Sequence, residues 1–397
     1  MPERKEGVVP RLRFPEFRNA GEWKVKRLVD IADVNAAGDL DSKEFSPVRT
    51  QDHIYPVYSN SVAQEGLYGF CSYPKYKKES VTITARGTLG VAFYRDHDFV
   101  GIGRLLIVSN LHETSPRFLK ELWNHLVREP FEDGGIPQLT AIKARRVKLF
   151  LPNLSEQQKI ADCLSSLDEV IELQAQELEA LKAHKKGLMQ QLFPREGETT
   201  PRLRFPEFRD AGPWEVKRLG EICSAFSGGT PSSSIKEYYG GSIPFIRSAE
   251  INQDTTELFL TEEGLKNSSA KLVVKGDILI ALYGANSGDG ALSKIDGAIN
   301  QAILCLRSKL NHSFILAYWR LRKNEIVMRF IQGGQGNLSA EIVKSIAFAF
   351  PSLAEQQKIA DCFSSLDRVI ELEAQKLEAF KTHKKGLMQQ LFPQEVD

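Results

Sequence analysis

Two groups of polar residues in this 397-residue chain have the chemistry to read an irregular hydrogen-bonding surface such as the edges of base pairs. In the first half they are Tyr58, Ser59, Asn60, Arg86 and Gln138, with Lys75 and Lys77 in a Lys-Tyr-Lys-Lys run. In the second half they are Thr230, Arg247, Tyr283, Asn300, Gln301 and Asn337. Arg, Asn, Gln, Ser and Thr hydrogen-bond base edges in a DNA groove, and Lys neutralises phosphate. Each residue also has a plainer reading, because glycine-rich turns commonly just close hairpins and exposed polar groups are mostly solvated. The candidate is therefore the set of loops and not any one member.

Other chemistry lacks its signature. No G-x-x-x-x-G-K-[ST] phosphate loop or G-x-G-x-x-G dinucleotide turn is present, nor an Asn-Pro-Pro-Tyr or Asp-Pro-Pro-Tyr tetrapeptide for holding a flipped base. His53, His97, His112, His125 and His312 have no metal-ligand spacing, and Glu262-Glu263 reads as solvated loop. Five cysteines with no C-x-x-C pair favour a reducing cytoplasm over a disulfide framework. No apolar run approaches a membrane span, and MPERKEGVVP lacks a signal-peptide core, so a soluble, cytoplasmic protein is expected. A hydrophobic fraction of 42%, a charged fraction of 26% and a formal net charge of +1 are ordinary for a globular chain. Near-neutral total charge leaves room for a local basic face.

The polar loops sit in two dissimilar α+β heads. Ser80–Thr84 reads as a strand before the turn at Ala85–Gly90, and Asp277–Gly284 as a strand running into the Gly-rich loop Ala285–Gly290. Helical patterns follow at 116–128 and 312–330. Gly134-Gly135 and Gly333-Gly334 come next, at corresponding distances before a long repeat.

That repeat is the strongest organising signal. Residues 152–194 return at 351–393 with roughly 35 of 43 positions identical, and PRLRFPEFRNAGEWKVKRL from Pro10 returns from Pro201. In the long repeat, Ile160, Leu164, Leu167, Ile171, Leu178, Leu181, Leu188 and Leu192 form a coiled-coil seam broken by Gln174 and Lys185; the second copy breaks at Glu373 and Lys384. Ser155 and Ala354, before Glu-Gln-Gln, mark the predicted helix starts, and Pro194 and Pro393 the stops. The His184-Lys185-Lys186 and His383-Lys384-Lys385 clusters read as solvated helix faces. The expected architecture is α+β, with two heads separated by two long helices in an antiparallel coiled coil with a pseudo-two-fold axis. Its boundaries are 1–151 for the first head with its lead-in, 152–194 for the first helix, 195–350 for the linker, lead-in and second head, and 351–397 for the second helix and tail.

Pro-x-Leu-x-Glu-Gln-Gln-Lys-Ile-Ala from Pro152 and Pro351, Leu-Arg-Phe-Pro-Glu-Phe from Leu12 and Leu203, Gly-Gly-Thr-Pro-Ser from Gly228, Ile-Pro-Phe-Ile from Ile243 and Asn300-Gln301 together resemble the specificity subunit of Type I restriction-modification enzymes. Tyr-Pro-Val-Tyr-Ser-Asn at 55–60 and Ala-Arg-Gly-Thr at 85–88 resemble another head subtype of that family. The resemblance implies a non-catalytic subunit in which each head is a target recognition domain reading one half-site of an asymmetric double-stranded DNA target. Partners would be two modification (methyltransferase) subunits bringing S-adenosylmethionine and N6-adenine methylation, and restriction subunits bringing ATP, Mg and cleavage, with no cofactor on this chain. A protein-binding scaffold and a nuclease with dispersed carboxylates stay open as alternatives.

Overall fold

The computed structural model describes residues 7–126, 138–331 and 337–393. The chain divides into two compact units, 1–175 with 375–397, and 176–374. The long helices run Leu154–Leu192 and Leu353–Leu391, 39 residues each, or about 58 Å at 1.5 Å per residue. Each unit thus holds one head, the first half of one long helix and the last half of the other.

In the first unit a four-stranded antiparallel sheet has the order Asp33–Ala36, Leu106–Ser109, Ser80–Ile83, Ala92–Arg95. A second sheet has the order Phe45–Ser46, Leu67–Cys71, Tyr55–Tyr58, Val100–Gly101, and its last pair is parallel. The second unit repeats the first sheet as Cys223–Ser227, Ile303–Ser308, Ile278–Ala281, Gly290–Leu292. Another of its sheets also contains one parallel pair, Tyr239–Ile246 with Gly297–Ile299. Helices Pro116–Leu126 and His312–Ile331 follow the sheets, and each sends a tryptophan inward: Trp123 Nε1 donates to Gly90 O and Trp319 Nε1 to Gly288 O, both at 2.9 Å. Dissimilar sequences therefore share one plan, as their common order of strand, Gly-rich turn and helix predicts. The Gly-rich stretches 134–137 and 333–336 lie outside the described residues.

Neither head closes its core alone. In the first unit Ile160, Ala161 and Leu164 pack with Leu391 and Phe392 of the other long helix around Trp23, Phe118 and Trp123. In the second, Ile359, Ala360 and Phe363 pack with Leu192 and Phe193 around Trp214, Phe314 and Trp319. Within each unit the two helices run antiparallel. In the first, Asp168 meets Lys384 at 2.6 Å, further along one helix and further back on the other than the contact of Ile160 with Leu391. In the second, Lys185 pairs with Asp367. The lysines that interrupt the apolar seam are thus each matched by an aspartate of the facing helix. Lys185 and Lys384 are largely covered, so the middle member of each His-Lys-Lys cluster is a seam residue, and the solvated reading holds for exposed His184, Lys186, His383 and Lys385.

The helix starts also differ from expectation. Asn153 Oδ1 accepts from the Glu156 N–H at 2.9 Å, and Ser352 Oγ from the Glu355 N–H at 3.3 Å. Asn153 and Ser352 are the caps, two residues before Ser155 and Ala354, because a capping oxygen must reach the amide three positions on. This leaves Glu156 and Glu355 in the first turn, facing inward. Arg13 Nε and Nη2 fork onto Glu156 at 2.8 and 2.5 Å, with the two side chains 6% and 1% exposed. Arg204 repeats the fork on Glu355 at 2.8 and 2.6 Å. Both arginines also donate through Nη1 to two carbonyls of their own lead-in, Ala20 and Gly21 or Ala211 and Gly212. Gln157 accepts from the Ser115 N–H and donates to Glu113 O and Pro152 O, pinning the start of the head helix to the start of the long helix.

Removing one member of a buried, forked pair strands the other charge, at a cost of about 3–5 kcal/mol. Arg13→Ala is therefore expected to lower the urea midpoint of the first unit by that equivalent and Arg204→Ala to act in the same direction on the second, whereas Lys77→Ala, at an exposed pair, leaves the midpoint unchanged. Unaltered unfolding of Arg13→Ala would contradict the assignment.

Candidate nucleic-acid interface

In the first head, three strands end at one place: Tyr55–Tyr58, Ser80–Ile83 and Val100–Gly101. The Asn60 amide joins the loops that follow them. Its Oδ1 accepts from the Ala85 N–H at 2.7 Å, and its Nδ2 donates to Gly103 O at 2.6 Å. Leu139 N–H in turn donates to Ala85 O at 3.1 Å. Ser59, Asn60, Arg86 and Gln138 are thereby gathered on one face. Arg86 is exposed and has no hydrogen-bond or ionic partner among the described residues. Ser59 is anchored by its N–H and Oγ to Gly66 O, and both ends of the Asn60 amide are engaged, so these two residues brace the loops.

Tyr58 is placed differently. Its ring is 7% exposed, its hydroxyl lies 2.8 Å from His97 Nε2, and the Arg95 guanidinium stacks 3.5 Å above the ring. Burial pushes the Tyr58 phenol pKa up and the Arg95 pKa down. Tyr58 is thus a core residue beneath the face. Lys75 and Lys77 are exposed beside the bridge between Tyr76 and Phe99; Lys75 Nζ donates to Asp39 O at 3.3 Å, and Lys77 pairs with Asp98 at 2.8 Å.

The second head builds the equivalent face. Leu338 N–H donates to Leu282 O at 2.8 Å, as Leu139 does to Ala85, bringing Asn337 beside Tyr283. Thr230 Oγ1 donates to Gln301 Oε1, and burial pushes the nearby Tyr283 hydroxyl pKa up, an effect the Gln301 side chain opposes. The Asn300 N–H donates to Ile246 O at 3.3 Å, which sets Arg247 next to this group. Thr230, Gln301 and Asn337 are exposed, and Asn300 Oδ1 accepts from the Ala302 N–H. All six candidates of this head therefore converge.

Arg247 is held in place by Glu250 at 2.8 Å and Glu257 at 2.5 Å, which raise its pKa. Burial opposes ionisation of Glu250, but the Arg247 side chain and the Glu257 and Arg247 amides outweigh it and lower the Glu250 pKa to about 2. In the sequence this clamp shows as Arg-x-x-Glu across a strand end. Arg95, the buried organiser of the first head, and the Gly103-Arg104 turn on its face carry no sequence motif. Among the described residues no cluster of His, Cys, Asp and Glu could hold a metal ion, and no helix is long and apolar enough to cross a membrane.

With this geometry in hand, comparison with known proteins is specific. The family described as Type I restriction modification DNA specificity domain matches residues 20–183 and 212–382, taking in both heads and most of both long helices. The chain belongs to this family. It is similar to the putative type I restriction enzyme MjaX specificity subunit of Methanocaldococcus jannaschii, with 25% identity over 72% of this chain and 70% of the relative. The EcoR124I/EcoR124II specificity subunit of Escherichia coli is 29% identical over 39% of this chain and 41% of its own. The fold matches the S subunit of a type I restriction-modification system from M. genitalium with a TM-score of 0.66, covering 98% of this chain and all of that one at 17% identity. A second structure, from work on assembly and conformational transition of the type I system, matches with a TM-score of 0.58 over 94% of this chain and 98% of its own at 17% identity. A specificity subunit is the non-catalytic member of its system.

The Glu250 clamp gives a pH signature. A carboxylate whose pKa falls from 4.5 to about 2 on folding adds stability above pH 4.5, and this is lost as pH falls towards 2. Glu250→Gln is expected to lower stability at pH 7 and to flatten the decline of second-unit stability between pH 4.5 and 2. Acid titrations followed by circular dichroism check this, and parallel curves for variant and parent would refute the clamp.

Proposed function

We propose that this specificity subunit reads a bipartite, asymmetric DNA target, one half-site per head, and directs N6-adenine methylation and restriction by partner subunits. The observation that carries the reading is the pair of equivalent loop faces, built at matching strand ends on one fold but furnished with different side chains. Two faces of one design with different donors and acceptors suit two different half-sites. The long helices would set the gap between them. We further assign S-adenosylmethionine, ATP and Mg to the partners and a cytoplasmic location to the working complex.

The partner surface is suggested by apolar residues left exposed at repeated positions. Val170 and Leu173 on the first long helix are 41% and 65% exposed; their repeat mates Val369 and Leu372 on the second are 42% and 56% exposed. Exposed aliphatic pairs on helix faces mark interaction sites, and two equivalent patches fit two copies of one partner, the modification subunit.

Sequencing of methylated bases in DNA from a host carrying the chain and its modification subunit tests the function. The expected result is a split, asymmetric motif with N6-methyladenine that appears only with this chain; a soluble complex that yields no motif refutes the reading. Inserting one helical turn, about 5.4 Å, into both long helices is expected to shift the gap by one to two base pairs, and an unchanged gap in a folded variant would sink the ruler. Leu173→Lys and Leu372→Lys are each expected to remove one modification subunit, read as the stoichiometry in native mass spectrometry.

A further inference from the structure

We propose that Arg104 is a base-reading residue of the first head, directed at a guanine in its half-site. The inference rests on the reading above, that this face meets DNA, and names a residue and a base within it.

Ile102-Gly103-Arg104-Leu105 is a tight turn closed by Leu105 N–H donating to Ile102 O at 3.2 Å. Both central residues have positive φ, +65° at Gly103 and +65° at Arg104. Glycine tolerates that region freely, but an arginine there bears the Cβ penalty of left-handed backbone. The turn is fixed on three sides. Gly103 N–H donates to Gly38 O at 3.1 Å, Ala37 N–H to Leu105 O at 2.7 Å, and the Asn60 amide to Gly103 O. Arg104 itself is exposed and has no hydrogen-bond or ionic partner among the described residues. A strained, well-anchored backbone thus presents an unpaired guanidinium to solvent.

The second head places this position in context. Its equivalent turn, Asn300-Gln301-Ala302-Ile303, closes with Ile303 N–H donating to Asn300 O at 3.2 Å, and both turns follow the second strand of the parallel pair. There neither central residue has positive φ; Gln301 is exposed and Ala302 is 5% exposed. The change of turn hand in the first head exposes the second central position, so the side chain presented is Arg104. The same Asn60 amide bonds both Ala85 N and Gly103 O, so the loop that carries Arg86 and the turn that carries Arg104 are tied to one side chain. An arginine fork on guanine O6 and N7 is the commonest base-specific contact, and a rigid turn supplies the fixed approach it requires.

The test compares methylated-base sequencing for the parent chain, Arg104→Gly and Arg104→Lys, each with its modification subunit. Glycine suits the positive φ, so Arg104→Gly is expected to keep or raise the thermal midpoint and still assemble. Both variants are expected to lose discrimination at one G·C position of one half-site by roughly tenfold or more, with the other half-site unchanged. If both half-sites keep their sequence, Arg104 does not read a base and the proposal fails while the reading of the face stands. Uniformly weaker methylation with no degenerate position, restored by lysine, makes Arg104 a phosphate contact and likewise overturns it. A parent complex that directs no motif overturns the underlying reading and, with it, the proposal.

Discussion

The buried fork between an arginine of each lead-in segment and the glutamate in the first turn of each long helix is the interaction on which the rest depends. Arg13 with Glu156, and Arg204 with Glu355, join a segment that precedes a head to the helix that follows it. Each arginine also holds two carbonyls of its own segment, so four of its five donors are engaged by one carboxylate and one loop. The neighbouring glutamine ties the head helix to the same point. With three elements fixed there, each head leaves its long helix at a set position.

The apolar cores then make the two repeats interdependent. Phe392 completes the core of the first head, and Phe193 that of the second, although each lies at the far end of the helix that begins beside the other head. A long helix therefore starts in one core and ends in the other. The matched pairs Asp168–Lys384 and Lys185–Asp367 add register along the seam, since a shift by one turn would leave each lysine facing apolar side chains. Polar interruptions of a coiled coil that fix register in this way cost stability and confer specificity.

On this frame the heads vary without changing plan. Equivalent hydrogen bonds, Leu139 to Ala85 and Leu338 to Leu282, hold equivalent loops, while the side chains presented differ: Arg86, Gln138 and the Gly103-Arg104 turn in one, Thr230, Tyr283, Gln301 and Asn337 in the other. Backbone bonds carry the architecture and side chains are left to carry discrimination. The second head's candidates were legible because they sit in motifs that resemble a known pattern. In the first head, Tyr58 resembles its loop neighbours in sequence, yet it ends a strand whose last two residues are buried on both faces, and Arg95 covers its ring. Arg104 follows a glycine in a run of apolar residues and carries no motif; only the sign of φ shows which way it points.

The sequence by itself determined what repetition and periodicity encode. Near-identical copies dictate two equivalent helices, the apolar spacing dictates that they pair, and the absence of cofactor motifs directs attention to the loops. These follow from local patterns, which a linear string displays in full. The tertiary structure decided which polar residues face one another across more than a hundred positions, as Arg13 and Glu156 do, and which of several similar loop side chains are buried, bracing or free. That division has a physical cause: helix formation and amphipathic pairing depend on near neighbours, whereas the burial of a charge and the direction of a loop side chain depend on everything that packs around them.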